Sequence, residues 1–260
     1  MINWQTTLAA MWRQHSKQLR AVTRLDNVDL DHLVGIDAQK SALVENTKAF
    51  LSGRAAHHAL LWGSRGTGKS SLVKGLLDRF AGKGLRLLEV DRDDLYRLPE
   101  IADQVAEQPY RFILFCDDLS FETGDASYKG LKRILEGSIE RPPENILVYA
   151  TSNRRHLLPE FMEENLASRV VGKEVHYADA IEEKISLSDR FGLWLSFYQP
   201  SLDDYLAIVD SYFPGANIDR EALHLEAKAF ALGRGSHNGR TAMQFFKTKG
   251  KQHVGHKKSE

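Results

Sequence analysis

The strongest constraint in this chain is the run Gly63-Ser64-Arg65-Gly66-Thr67-Gly68-Lys69-Ser70. A short apolar stretch, His58 to Trp62, leads into it, and apolar residues at helical spacing from Ser70 to Phe80 lead out. The pattern reads as strand, glycine-rich turn, helix. Glycines let the backbone bend until successive N–H groups converge, and the helix that follows adds the positive end of its dipole. Glycine, four residues, glycine, lysine and a hydroxyl residue is the spacing of a phosphate-binding P-loop. In that reading Gly63 to Ser70, with Ser71, surround the phosphates of a nucleotide. Lys69 reaches the β- and γ-phosphates, and Ser70 ligates Mg²⁺.

A P-loop needs a carboxylate at a neighbouring strand end to complete the metal site. Phe112 to Cys116 is an apolar strand that ends in Asp117-Asp118. Asp117 is the candidate for the Mg²⁺ shell and Asp118 for the base that takes a proton from the attacking water. An Asp pair that merely starts a turn would look similar. Further apolar runs occur at Leu85 to Val90, Ile146 to Thr151 and Leu193 to Phe197, with a helical stretch from Tyr128 to Glu140. Their continuous apolarity suits strands covered on both faces, and the alternation with helices predicts an α/β, doubly wound core with a parallel sheet. After Pro200 the texture is helical only, at Leu202 to Phe213, Asp219 to Leu232 and Arg240 to Lys249. The expected layout is a helical extension over 1–27, a nucleotide-binding unit over 28–199, a small helical lid over 200–250 and a basic tail over 251–260.

At these residues the chain resembles the AAA+ family of ATPases. Tyr149-Ala150-Thr151-Ser152-Asn153 is similar to that family's sensor 1 strand, which implies that Asn153 helps to orient the lytic water. Leu187-Ser188-Asp189-Arg190-Phe191-Gly192-Leu193 resembles its Arg-Phe box, which implies that Arg190 is an arginine finger reaching a neighbouring subunit's nucleotide; Arg169 is a rival. Gly239-Arg240-Thr241-Ala242 falls where the resemblance places the sensor 2 arginine, with Arg234 close enough to compete for the role. Leu33-Val34-Gly35-Ile36 resembles the segment that packs on adenine, which makes Val34 and Gly35 nucleotide contacts. Two stretches, Ala150 to Leu157 and Ser186 to Trp194, resemble more narrowly a little-characterised bacterial AAA+ family, DUF815, which brings no substrate with it. The resemblance implies ATP and Mg²⁺ as ligands, a homo-oligomer and an unidentified protein client.

Two features depart from the AAA+ pattern. Most of these ATPases carry Glu after the metal-binding Asp, whereas this chain has Asp118, whose carboxylate stands one methylene farther back. Slow, switch-like hydrolysis follows as an expectation. The stretch between Asn153 and Arg190 is rich in charge, with Glu160, Glu163, Glu164, Glu174, Glu182 and Glu183. Both a partner-binding insertion and a solvated loop suit it.

Composition narrows the remaining classes. Lys plus Arg and Asp plus Glu each number 35, so the formal charge is zero and no overall field draws the chain to nucleic acid or membrane. The single cysteine, Cys116, excludes an internal disulfide framework and argues against a thiolate metal cage. No apolar run reaches the roughly 18 residues of a membrane span, and the N-terminus has no secretory pattern, so a soluble, cytoplasmic protein is expected. His57 and His58 would point to opposite faces of a strand and do not read as a metal pair.

Within the first 25 residues Arg13, Lys17, Arg20 and Arg24 stand without any acidic residue. Trp4, Leu8, Met11, Trp12 and Leu19 recur at roughly helical spacing there, which predicts a basic amphipathic helix. Packing on its own domain, docking a partner, touching a membrane surface and serving as an organelle address all fit such a helix. The stretch Lys247 to Lys258 reads as a solvated tail. With Arg154-Arg155-His156 and the N-terminal cations it offers the only support for nucleic-acid contact. Two functions remain in view: an oligomeric ATPase that remodels or loads a client, and a nucleotide-controlled binding module with little basal hydrolysis.

Overall fold

The computed structural model describes residues 2–121, 128–137, 139, 142–155, 157, 186–215 and 218–254. Among these residues seven strands form one sheet: β1 (Ala9–Arg13), β2 (Gln18–Ala21), β3 (Ala59–Gly63), β4 (Leu85–Glu89), β5 (Arg111–Cys116), β6 (Ile146–Ser152) and β7 (Leu193–Phe197). Their order is β2-β1-β4-β5-β6-β3-β7, and every pairing is parallel except β1 with β2. Helices described over their whole length are α1 (Asp37–Leu51), α2 (Lys69–Phe80), α3 (Leu98–Asp103), α4 (Tyr128–Glu136), α5 (Leu202–Tyr212), α6 (Arg220–Arg234) and α7 (Gly239–Val254). This is a doubly wound, P-loop-type core followed by a helical lid.

The apolar runs become central strands because both of their faces are covered. Phe112, Leu114 and Cys116 of β5 join Leu60, Leu88, Val148 and Ala150 in one cluster. Ile113 and Phe115 join Leu61, Leu147 and Tyr149 in the other, against Leu43 and Phe50 of α1 and Leu72 and Leu76 of α2. Successive residues of one strand thus feed opposite layers.

The lid has its own apolar cluster, centred on Tyr205, Val209, Phe213, Leu223, Ala227 and Phe245. Its helix ends are marked in the sequence. Ser201 and Asp204 form a reciprocal capping box at α5, Asp219 caps α6, and Gly235 ends α6 in the left-handed conformation.

Two expectations are corrected. The N-terminal segment is a β-hairpin, not an amphipathic helix. Ala10 and Trp12 enter the cluster on one side of the sheet and Ala9 the cluster on the other, a period of two. Pairing of Ala9 with Leu87 and Ala10 with Leu88 gives this backbone a sheet edge to bond to, and a long-range partner of that kind overrides local periodicity. Trp4 packs edge-on to Phe112, with ring centroids 5.0 Å apart. Arg13, Lys17, Arg20 and Arg24 are exposed. At the other end, α7 runs on to Val254, so the expected tail over 251–260 begins as helix, over 251–254.

A short 3₁₀ segment at Arg92–Arg97 that leads into α3 was not foreseen. Helix α4 stops at Glu136, ahead of Gly137 with φ +78°, four residues sooner than its periodicity suggested. Arg169, His156, the six glutamates between 160 and 183, and residues 255–260 lie outside the described residues. Among the described residues no helix is long and apolar enough to cross a membrane.

Candidate functional site

The C-terminal ends of β3, β5 and β6 meet at one edge of the sheet, and a cavity of about 610 Å³ opens there between the core and the lid. Its wall takes in Val34, Gly35, Arg65 to Ser71, Asp117, Asp118, Asn153 and Arg240. Crevices beyond the carboxyl ends of parallel strands are where open α/β sheets hold ligands. Another cavity, of about 630 Å³, lies by Arg111 and Asn145, at the N-terminal ends of β5 and β6. It has neither a glycine-rich loop nor a strand-end carboxylate pair.

The glycine-rich turn is shaped by close approach. Gly63 has φ +126°, and a Cβ there would collide with the Phe197 carbonyl, which accepts the Ser64 N–H at 2.8 Å. Gly68, with φ +95°, starts α2 without a side-chain cap. The N–H groups of Lys69, Ser70 and Ser71 therefore open the helix at the cavity wall without a side-chain acceptor from the cap position.

Lys69 is buried, and its Nζ donates to the carbonyls of Gly63 at 2.8 Å and Ser64 at 2.7 Å and to Asn153 Oδ1 at 3.3 Å. Burial pushes this ammonium down from its ordinary value to about 8. Asp117 and Asp118 partly offset that effect, while Arg240 and Arg65 add to it. A lysine so placed readily gains an anionic partner.

The carboxylates are held in fixed roles. Asp117 Oδ1 accepts from Ser70 Oγ at 2.7 Å and also from the Thr151 hydroxyl. Thr151 Oγ1 in turn accepts the Asp118 N–H at 2.9 Å. Asp118 has φ +51°, in the left-handed region that Asp tolerates better than most residues, and its Oδ1 accepts from Asn153 Nδ2. Asn153 thus bridges Lys69 and Asp118. Ser70 and Asp117 together offer a hydroxyl and a carboxylate to a hard cation, a donor set that suits Mg²⁺ completed by phosphate and water oxygens. No cluster of three or more His, Cys, Asp or Glu side chains suited to a metal occurs among the described residues.

Of the competing arginines, Arg240 lines the cavity, whereas Arg234 is at the end of α6 with its guanidinium 5.3 Å from the Phe230 ring centre. Arg190 is not in the cavity wall; its Nε lies 3.1 Å from Glu136 Oε1. His58 is a structural residue: burial, with a smaller effect of His57, lowers its pKa to about 4, and its Nδ1 accepts the Val148 N–H at 3.0 Å. Cys116 is buried, which pushes its thiol up to about 12 and leaves it unreactive.

The sequence profile of the family described as "Protein of unknown function (DUF815)" matches residues 5–252. The chain belongs to the DUF815 family. Comparison with curated protein sequences gives no match. Among solved structures, the Aeropyrum pernix Orc1 protein in complex with DNA is similar at a TM-score of 0.60 and 15% identity, over 85% of this chain and 61% of that one. A mutant of Thermotoga maritima RuvB is similar at a TM-score of 0.50 and 13% identity, over 85% and 73% of the two chains. This DUF815 chain thus spans about three fifths of the Orc1 chain's length. At such identities it is the fold that is shared.

Several wall residues of the DUF815 site were not singled out from the sequence. Pro200, Ile208, Tyr212 and Met243 extend the apolar wall that Val34 and Ile36 begin. Thr151 lay within the strand motif, but its bridging of the two aspartates depends on the β5–β6 register, which pairs Cys116 with Ala150. Asn238 meets the loop from the lid; the Asn-Gly pair ahead of a helical run marks it as a cap, but not as a contact with residue 65.

Proposed function

We propose that this chain binds ATP with Mg²⁺ in the cavity between core and lid and hydrolyses it, working as an oligomer that remodels or loads a client. The observation that carries the reading is the convergence of Lys69, Ser70, Asp117, Asp118 and Asn153 on one glycine-rich turn. In this reading Lys69 moves from the Gly63 and Ser64 carbonyls to the β- and γ-phosphates, and the N–H groups at the start of α2 hold the phosphate oxygens. Val34, Gly35, Ile208 and Tyr212 form the wall for the base. Ser70 and Asp117 would hold the metal, which when bound neutralises charge on the phosphates.

Asn153 orients a water towards the γ-phosphorus. The water oxygen bonds to phosphorus as the bond to the β–γ bridging oxygen breaks. The electron pair leaves with ADP, and the water's proton passes to Asp118. Arg240 in cis and Arg190 of a neighbouring subunit would stabilise the charge on the transferred group. A reducing, cytoplasmic setting suits the lone buried thiol of Cys116.

A second reading, a nucleotide-controlled binding module with little basal turnover, is favoured by two contacts. The Asp118 carboxylate is engaged by Asn153, and Arg190 is engaged by Glu136. The DNA in the Orc1 structure makes nucleic acid one client class to try beside protein. The experiment is steady-state phosphate release across a range of protein concentrations for wild type, Lys69→Ala, Asp118→Asn and Arg190→Ala. Turnover that climbs with concentration and collapses in all three variants supports the shared-site ATPase. ATP binding with flat, near-zero turnover supports the binding module, and absence of ATP binding overturns both.

A further inference from the structure

The lid and the glycine-rich turn are joined at one place by a side chain that serves both. Asn238 stands directly ahead of α7. Its Oδ1 accepts the Thr241 N–H at 3.1 Å and lies 3.3 Å from the Thr241 hydroxyl, so it caps the helix. The other half of the same amide, Nδ2, donates to the Arg65 carbonyl at 3.1 Å, across 173 residues of sequence. Beside it the Gly239 N–H donates to the Gly66 carbonyl at 3.0 Å.

Gly66 suits this approach by its conformation and its space, and Gly239 by its space. A Cβ on Gly66 would stand 2.7 Å from the Asn238 amide, and one on Gly239 would stand 3.1 Å from the Gly66 carbonyl. Gly66 also has φ +75°, which disfavours other residues. The residue that follows Gly239 is Arg240, which lines the cavity and whose charge acts on Lys69.

We propose that Asn238 is a positioning residue: its amide clamps the start of α7 to the Arg65 and Gly66 backbone and so fixes Arg240 over the glycine-rich turn. A planar amide suits the task because its acceptor and its donors sit on opposite sides of one rigid group. Capping alone needs only the acceptor, which Ser or Asp supplies equally well. The donor is needed only for the clamp. Lid position and loop shape are thereby one variable, since any rotation of the Arg65 or Gly66 peptide that turns its carbonyl away releases the lid helix. The effect on catalysis rests on the ATP reading given above; the clamp itself does not.

The test uses the full chain and three variants. Asn238→Asp and Asn238→Ser keep an acceptor for the Thr241 N–H. Asp has no donor for the Arg65 carbonyl, and Ser is too short to reach it. Asn238→Ala removes cap and clamp together. Amide hydrogen exchange is measured residue by residue without nucleotide. In both the Asp and the Ser variant the Gly239 amide is expected to exchange about fivefold or more faster, the effect of losing roughly one hydrogen bond, while the Thr241 and Ala242 amides keep wild-type protection. Only the Ala variant should also expose Thr241.

Unchanged Gly239 exchange in the Asp and Ser variants overturns the clamp, as does equal loss of protection at Gly239 and Thr241 in all three. A parallel measurement of ATP turnover separates the two ideas. A clamp that positions Arg240 predicts that Asn238→Ser shifts KM and kcat in the same pattern as Arg240→Ala, and a pattern unlike it overturns the positioning role. If wild type neither binds nor turns over ATP while the exchange result is as expected, the clamp stands and the ATP reading falls.

Discussion

Arg190 and Glu136 form an ion pair, Nε to Oε1 at 3.1 Å, and neither residue lines the cavity. An arginine that serves a neighbouring subunit must leave such a partner when it inserts. Glu136→Gln is therefore expected to lower the protein concentration at which phosphate release reaches half its maximum, whereas Arg190→Ala removes the concentration dependence. The pair is partly exposed, with side chains 48% and 23% accessible, so losing it should change stability by no more than about 1 kcal/mol. Turnover against concentration, with denaturant unfolding as the control, measures both effects.

Lys69 makes the site sensitive to alkaline pH. Burial lowers its pKa to about 8 from an ordinary 10.5. A protonated group with a lowered folded-state pKa costs stability; the cost is full below pH 8 and fades as pH rises towards the ordinary value. Unfolding free energy should thus rise across that window in wild type relative to Lys69→Ala. Phosphate binding has the opposite sign because it needs the ammonium, so affinity for ATP should fall as pH rises through about 8. Denaturant titrations and fluorescent-nucleotide binding between about pH 7 and about pH 10 test both slopes.

Asp118→Asn keeps a side chain that tolerates φ +51° but removes the proton acceptor. Phosphate release should drop by about 100-fold or more, with ATP affinity little changed. Wild-type turnover in this variant would show that Asp118 is not the base.

The N-terminal hairpin makes a stability prediction that a surface helix would not. Trp12 is 3% exposed within the main cluster, so Trp12→Ala should cost about 3–5 kcal/mol. Met11→Ala, one residue along and only half buried, should cost much less. Equal losses at the two positions would speak against the two-residue alternation.

Much of this architecture could be read from the sequence wherever one signal had one meaning. The strand is apolar from Phe112 to Cys116 because both of its faces are covered, and the glycines at 63, 66 and 68 do mark positive φ. The hairpin is not legible from spacing because, over so short a span, apolar residues spaced for a helix can also alternate on a strand. What decides between them is a distant partner, β4. The same holds at the site. Asp117, Asn153 and Arg240, each singled out in the sequence, line one cavity, yet the bond from Asn238 to Arg65 and the pairing of Glu136 with Arg190 are visible only once the chain is folded.

The hairpin at the margin of the sheet also bears on how copies of this chain could meet. Its outermost strand, β2, is four residues long and follows a turn in which Lys17 has φ +48°. Lys17 and Arg20 are exposed there, and a short, cationic border strand resists pairing with another strand. Growth of the sheet from one molecule into the next is discouraged on that flank, which leaves loops and helices for any contact between copies.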